Sequence, residues 1–150
     1  RQRVAPKAIY SVLGGASSQY RFLSEFPEAA QYVMDSNHWY NPKNPKALAL
    51  RKRTEAAGKH YSYEVFLAYT AVRFIADGIE RAGSADRGKI IQALASSTWD
   101  GHFMPYGPTK IVNGQNMAAQ SLNMQIQGKE IEVVAPAEYM TKKAVFPRPA

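Results

Sequence analysis

The chain contains no cysteine. That excludes thiolate metal centres, a cysteine nucleophile and a disulfide framework, and leaves the compartment open. No apolar run approaches the ~20 residues that cross a bilayer. The opening Arg1-Gln2-Arg3-Val4-Ala5-Pro6 has two basic residues and no apolar stretch behind them. It does not read as a signal peptide, and a mature exported protein or a fragment of one begins in the same way.

Histidine is scarce. His38, His60 and His102 stand far apart, and none falls in an HxxxH or HExxH pattern. A metal site would need carboxylates brought in by folding, so neither a metal nor a cofactor is expected. Ser11, Ser17, Ser18 and Ser84 lie near glycines, yet none forms the GxSxG elbow of a hydrolase. Glu130 and Glu132 flank Ile131, and this alternation puts both on a solvent face. With no nucleophile and no acid–base constellation, the chain is expected not to be an enzyme. Gly14-Gly15 fits neither GxGxxG nor GxxxxGK[ST], which leaves nucleotide binding without support.

What is present suffices for a folded core. Of 150 residues, 45% are hydrophobic, with nine tyrosines, six phenylalanines and two tryptophans; disordered chains are poor in aromatics. The net charge of +7 raises the question of nucleic acid. Its densest cluster is Lys43, Lys46, Arg51, Lys52, Arg53 and Lys59, with Glu55 among them. No aromatic interleaves it, so a base-stacking platform is missing. A solvated helix face is expected there, and no nucleic-acid partner.

Along the chain, 7–13 reads as a short buried strand. The loop Gly14-Gly15-Ala16-Ser17-Ser18 then opens a helix that Pro27 stops. Residues 30–37 form a second strand, with Trp39 and Tyr40 at its end. That aromatic pair can floor a pocket, since ligands gather at strand ends of α/β sheets, or pack as ordinary core. The glycine loop faces the same choice between a ligand and a plain tight turn. Asn44 caps a helix beginning at Pro45 and ending at Gly58. From Ser62 to Ala82, Val65, Tyr69, Val72, Ala76 and Ile79 form one helical stripe expected to pack inward, and Gly83 ends the helix. Asp86 caps a shorter helix with Ile90, Ile91, Leu94 and Ala95 inward. After Trp99 the turn signals Asp100-Gly101, Asn113-Gly114 and Gly128-Lys129 separate strands. Leu122, Met124 and Ile126, then Ile131 and Val133, alternate as a half-buried hairpin. The fold class is α/β with C-terminal antiparallel hairpins.

In order and spacing these pieces resemble a known family. Tyr69-Thr70-Ala71-Val72, followed by Ile75-Ala76-Asp77-Gly78-Ile79-Glu80-Arg81-Ala82-Gly83-Ser84, is similar to the "AYDAV…ADAIERAGS" helix of branched-chain amino-acid-type periplasmic binding proteins. Asp100-Gly101, Gly107-Pro108-Thr109-Lys110-Ile111 and Asn113-Gly114-Gln115-Asn116 match that family's "DG…GP.KF…NGQN" hairpin. Gly14-Gly15-Ala16-Ser17 and Asn37-His38-Trp39 match its "GGAS" loop and "sHW" strand end. The resemblance runs along essentially the whole chain.

It implies part of a two-lobed type I fold that closes on a solute and delivers it to an ABC importer permease in the periplasm. A ligand-sensing domain of the same fold in a receptor or regulator is the alternative. Family members are about twice this length or more, so the chain resembles only a C-terminal portion. Residues 1–61 then belong to the second lobe, 62–121 return to the first, and 122–150 go back to the second. The remainder comes from an absent N-terminal part or a companion chain. The solute side is implied for Leu13, Gly14, Gly15, Ala16 and Ser17, with Trp39, Tyr63 and Glu64. The family often places an acid in that loop for a ligand ammonium. None stands there here, which favours an aromatic or aliphatic carboxylate as the solute. At the crossover into the long helix the family commonly has an aromatic facing the ligand. Tyr63 or Glu64 stands at that place here, and Glu64 either meets the ligand or simply suits the helix N-terminus.

Overall fold

The computed structural model describes residues 5–12 and 15–149. Two parallel strands, β1 (Ile9–Val12) and β2 (Val33–Asn37), enclose α1 (Tyr20–Glu25). Then follow α2 (Pro45–Ala56), α3 (Tyr63–Ala82), α4 (Arg87–Ala95), a small hairpin β3 (Ile111–Val112) and β4 (Gln115–Asn116), and a longer one, β5 (Leu122–Gln127) and β6 (Glu130–Ala135). β5 runs antiparallel to β2 and to β6, giving a mixed sheet of order β1-β2-β5-β6. The α/β class and the antiparallel C-terminal strands thus match the sequence. No described helix is long and apolar enough to cross a membrane.

Helix ends follow local chemistry. The Asn44 side chain accepts the Lys46 N–H with Pro45 at the first position, Asp86 accepts the Lys89 N–H, and Gly83 ends α3 in the left-handed region. Leu122, Met124 and Ile126 of β5 face Ile131 and Val133 of β6, and all five are buried. An aromatic knot completes the core. Phe66 lies 5.5 Å from Trp39, 5.4 Å from Tyr40 and 5.7 Å from Tyr61 between ring centroids. The backbone N–H of Asn41 donates to Phe103 O at 2.9 Å, tying the 99–106 loop to the end of β2.

Three expectations need correction. β1 is an exposed sheet edge rather than a buried strand, with Ile9, Tyr10 and Val12 open to solvent. The α3 stripe packs inward only at its start: Val65 lies against the core and Tyr69, though partly exposed, stacks on Phe103 at 5.7 Å, while Val72 and Ile79 are exposed, Val72 at 67%. The helix instead packs its other side, with Phe66 in the core, Phe74 against Trp99 and Gly78 against Leu94. A helix apolar on both sides needs two neighbours, and among the described residues the stripe from Val72 onward has none over most of its length. In α4, Ile91 and Ala95 are likewise exposed, and Ile90 and Leu94 are half-buried.

Candidate functional site

β1 and β2 run in parallel, so their carboxyl ends open on one edge of the sheet, where α/β folds place ligands. Beyond β1 the chain enters a tight helical turn, Ala16–Ser18. Gly15 precedes it at φ +67°, and a Cβ built there would come 3.0 Å from the Tyr63 hydroxyl. The backbone angle therefore favours glycine, and a side chain there would also press on the Tyr63 hydroxyl.

Side chains pin the turn on two sides. Asn37, the last residue of β2, donates its Nδ2 to Ser18 Oγ at 2.8 Å, while its Oδ1 accepts the His38 N–H at 2.8 Å. Gln19 donates its Nε2 to Glu64 Oε1 at 2.6 Å. Tyr63 and Glu64, in the first turn of α3, are thus brought onto the segment 15–19. The fold brings the segment 15–17 and the Tyr63–Glu64 pair side by side.

Leu13 and Gly14 lie outside the described residues. Trp39 is placed elsewhere: at 1% exposure it sits edge-on against Phe66 and beside Tyr40. Its indole packs in the core and gives the site no surface.

Sequence reasoning missed Asn37, Ser18 and Gln19, whose roles arise only once the turn folds against β2 and α3. It also missed Asp35, which shares a sheet face with Asn37. At 1% exposure the Asp35 carboxylate has no hydrogen-bond partner among the described residues, nor has Ser17 Oγ. Glu130 keeps a 44% exposed side chain, yet it accepts hydrogen bonds from Tyr20 and Arg51, which the sequence did not indicate.

The assembled group is a shelf with one wall: Ala16 and Glu64 are exposed, Gly15 and Tyr63 half-buried. It offers a hydroxyl donor from Tyr63 and one charged acceptor, Glu64, while Ser17 is buried and its hydroxyl does not reach the surface. It brings together no nucleophile with a base. Among the described residues no cluster of three or more His, Asp or Glu is placed to hold a metal. Separate shallow pockets of about 330 and 360 Å³ lie between α3 and the 96–100 loop around Asp77 and Trp99.

A family model described as periplasmic binding protein matches residues 11–130. A search of curated proteins returned no match. Among solved structures, a leucine binding protein from Thermotoga maritima superimposes with a TM-score of 0.66 at 22% identity, covering 84% of this chain and 36% of that one. A putative branched-chain amino acid ABC transporter protein from Silicibacter pomeroyi gives 0.67 at 14% identity, covering 92% and 40%. An ABC transporter substrate-binding protein from Desulfitobacterium hafniense, in complex with Leu, gives 0.55 at 16% identity, covering 73% and 33%. The chain therefore spans 33–40% of the length of these three structures.

Proposed function

Since the chain belongs to the periplasmic binding protein family, we propose that it forms part of the periplasmic solute-binding component of an ABC importer and is not an enzyme. The observation that carries this is the shelf itself. The Gly15–Ser17 turn meets Tyr63 and Glu64 at the carboxyl ends of two parallel strands, with polar anchors and no catalytic pair.

A shelf with one wall needs a second. The outer face of α3 supports a facing lobe, because Val72, Ile75 and Ile79 are exposed along it and contiguous apolar surface marks an interaction site. In this proposal 62–121 pack within a first lobe whose remainder lies in polypeptide beyond these residues or in a companion chain. Residues 1–61 and 122–150 form part of the second lobe. The two lobes close on the solute by hinge bending, and the permease recognises the closed form. Closure is driven only as far as the solute binds the closed state better than the open one.

The solute is a small amino-acid-like or aromatic or aliphatic carboxylate. Glu64, the one charged group on the described shelf, suits an ammonium, and the Tyr63 hydroxyl suits a carboxylate. Thermal-shift measurements on the complete two-lobed protein with L-leucine and with benzoate separate these. A solute at 100 times its dissociation constant stabilises by about 2.7 kcal/mol. A shift with leucine that Glu64→Gln abolishes selects the amino acid, and a shift with benzoate that survives Glu64→Gln selects the acid. No shift with any small carboxylate on ligand-stripped protein would remove the solute-binding proposal.

A further inference from the structure

The shelf's position depends on α1, and α1 is poorly equipped to hold itself. It has six residues, and its N-cap, Gln19, makes no side-chain capping bond; so short a helix is not stable by propagation alone. Gln19 instead gives its side chain to Glu64. The next residue, Tyr20, is anchored from below. Its hydroxyl donates to Glu130 Oε2 at 2.6 Å. Arg51 Nη2 donates to both oxygens of the same carboxylate, at 2.9 and 2.8 Å. The Arg51 guanidinium also lies over the Tyr20 ring, 5.3 Å from its centroid, and its Nε donates to Glu55 at 2.8 Å. Glu64, Gln19, Tyr20, Glu130 and Arg51 thus form one connected route from the shelf through α1 to β6 and α2.

We propose that Arg51 and Glu130 are positioning residues for the solute shelf, clamping Tyr20 so that the Gly15–Gln19 turn stays against Tyr63 and Glu64. This rests on the solute-binding proposal above. The alternative of a purely stabilising ion pair is weak on magnitude. The Glu130 and Glu55 side chains are 44% and 49% exposed, and such pairs contribute about 0–1 kcal/mol. What five convergent contacts supply is geometry. Charge-assisted bonds from Arg51 Nη2 to both carboxylate oxygens, joined by the Tyr20 hydroxyl, fix orientation more strictly than a single neutral bond does.

The discriminating variants are Tyr20→Phe, which keeps the ring over Arg51 and removes the hydroxyl, and the pair Glu130→Gln and Glu130→Ala. In Tyr20→Phe the amides of Ser18 and Gln19, bonded to Gly15 O and Ala16 O, should exchange with deuterium about tenfold faster. Amides 66–81 in α3 should be unchanged. Affinity for whichever of L-leucine or benzoate stabilises the protein should fall about tenfold, equivalent to about 1.4 kcal/mol. Glu130→Gln, which keeps an acceptor for Tyr20, should fall between wild type and Glu130→Ala in both measurements. Unchanged exchange at Ser18 and Gln19, or an equal rise in α3, overturns the clamp. Faster exchange with unaltered affinity overturns its positioning role. Should no small carboxylate bind, the solute proposal fails and the positioning role with it, and the exchange result still decides whether the clamp exists.

Discussion

Gly15 sits where two demands coincide: a left-handed backbone angle and a tyrosine hydroxyl 3.0 Å from the position of any Cβ. Gly15→Ala should therefore destabilise by about 1–2 kcal/mol from the backbone alone, with a further loss as Tyr63 is displaced. Urea unfolding of Gly15→Ala and of the double variant with Tyr63→Phe separates the two, because removing the hydroxyl relieves the contact and leaves the angle strained. His102 carries a different expectation. Its ring packs between Trp99 and Tyr106, and its Nδ1 accepts the Met104 N–H at 3.2 Å, so protonating that nitrogen would cancel the bond. Burial holds the imidazole below its ordinary value of 6.5, against the opposing pull of the Gly107 backbone and the Asp100 charge. A folded state that binds the proton less readily than the unfolded chain keeps its full stability above about pH 6.5. The contribution is lost as pH falls from there towards the folded-state value. Melting temperature should drop between pH 7.5 and 5, and His102→Gln should flatten that slope; an unchanged slope would place the titration elsewhere.

At the scale of elements, α3 is the instructive case. Its periodic stripe is present as the sequence indicated, yet from Val72 onward it faces solvent, while the side that packs along its length holds Phe66, Phe74 and Gly78. Gly78 has a specific reason, since a Cβ there would meet Leu94 Cδ2 at 2.6 Å; the small residue lets α4 approach. The stripe yields a prediction with opposite outcomes in two settings. Val72→Asp should leave the urea stability of the 150-residue chain within about 0.5 kcal/mol, as surface changes do. In a protein carrying both lobes it should cost about 3 kcal/mol or more, because the charge would be buried without a partner. Equal small effects in both would mean that nothing covers this face.

At the scale of the whole molecule, one aromatic cluster joins segments far apart in sequence. Trp39 and Tyr40 follow β2, Tyr61 and Phe66 bracket the start of α3, and Phe103 comes from the loop beyond α4. Much of the plan was legible beforehand because it rests on local chemistry. Asn44 before Pro45, Asp86, Gly83 and the Leu122–Met124–Ile126 alternation each act within a few residues, so the order of helices and strands followed from the chain alone. The motif order and spacing also pointed to the family, and the glycine turn and the Tyr63–Glu64 pair were legible as site candidates. Contacts between distant segments were not. No local pattern reveals that Trp39 turns into the core, that Gln19 reaches Glu64 45 residues away, or that Glu130 receives Tyr20 across 110. Nor does a period of 3.6 say which of two apolar helix faces finds a neighbour. Sequence by itself determined the elements, their caps and the family; the tertiary structure alone decided which faces are buried and which side chains meet at the shelf. The physical reason is that capping and periodicity are satisfied within one or two turns, whereas burial and side-chain hydrogen bonds depend on what the rest of the polypeptide brings alongside.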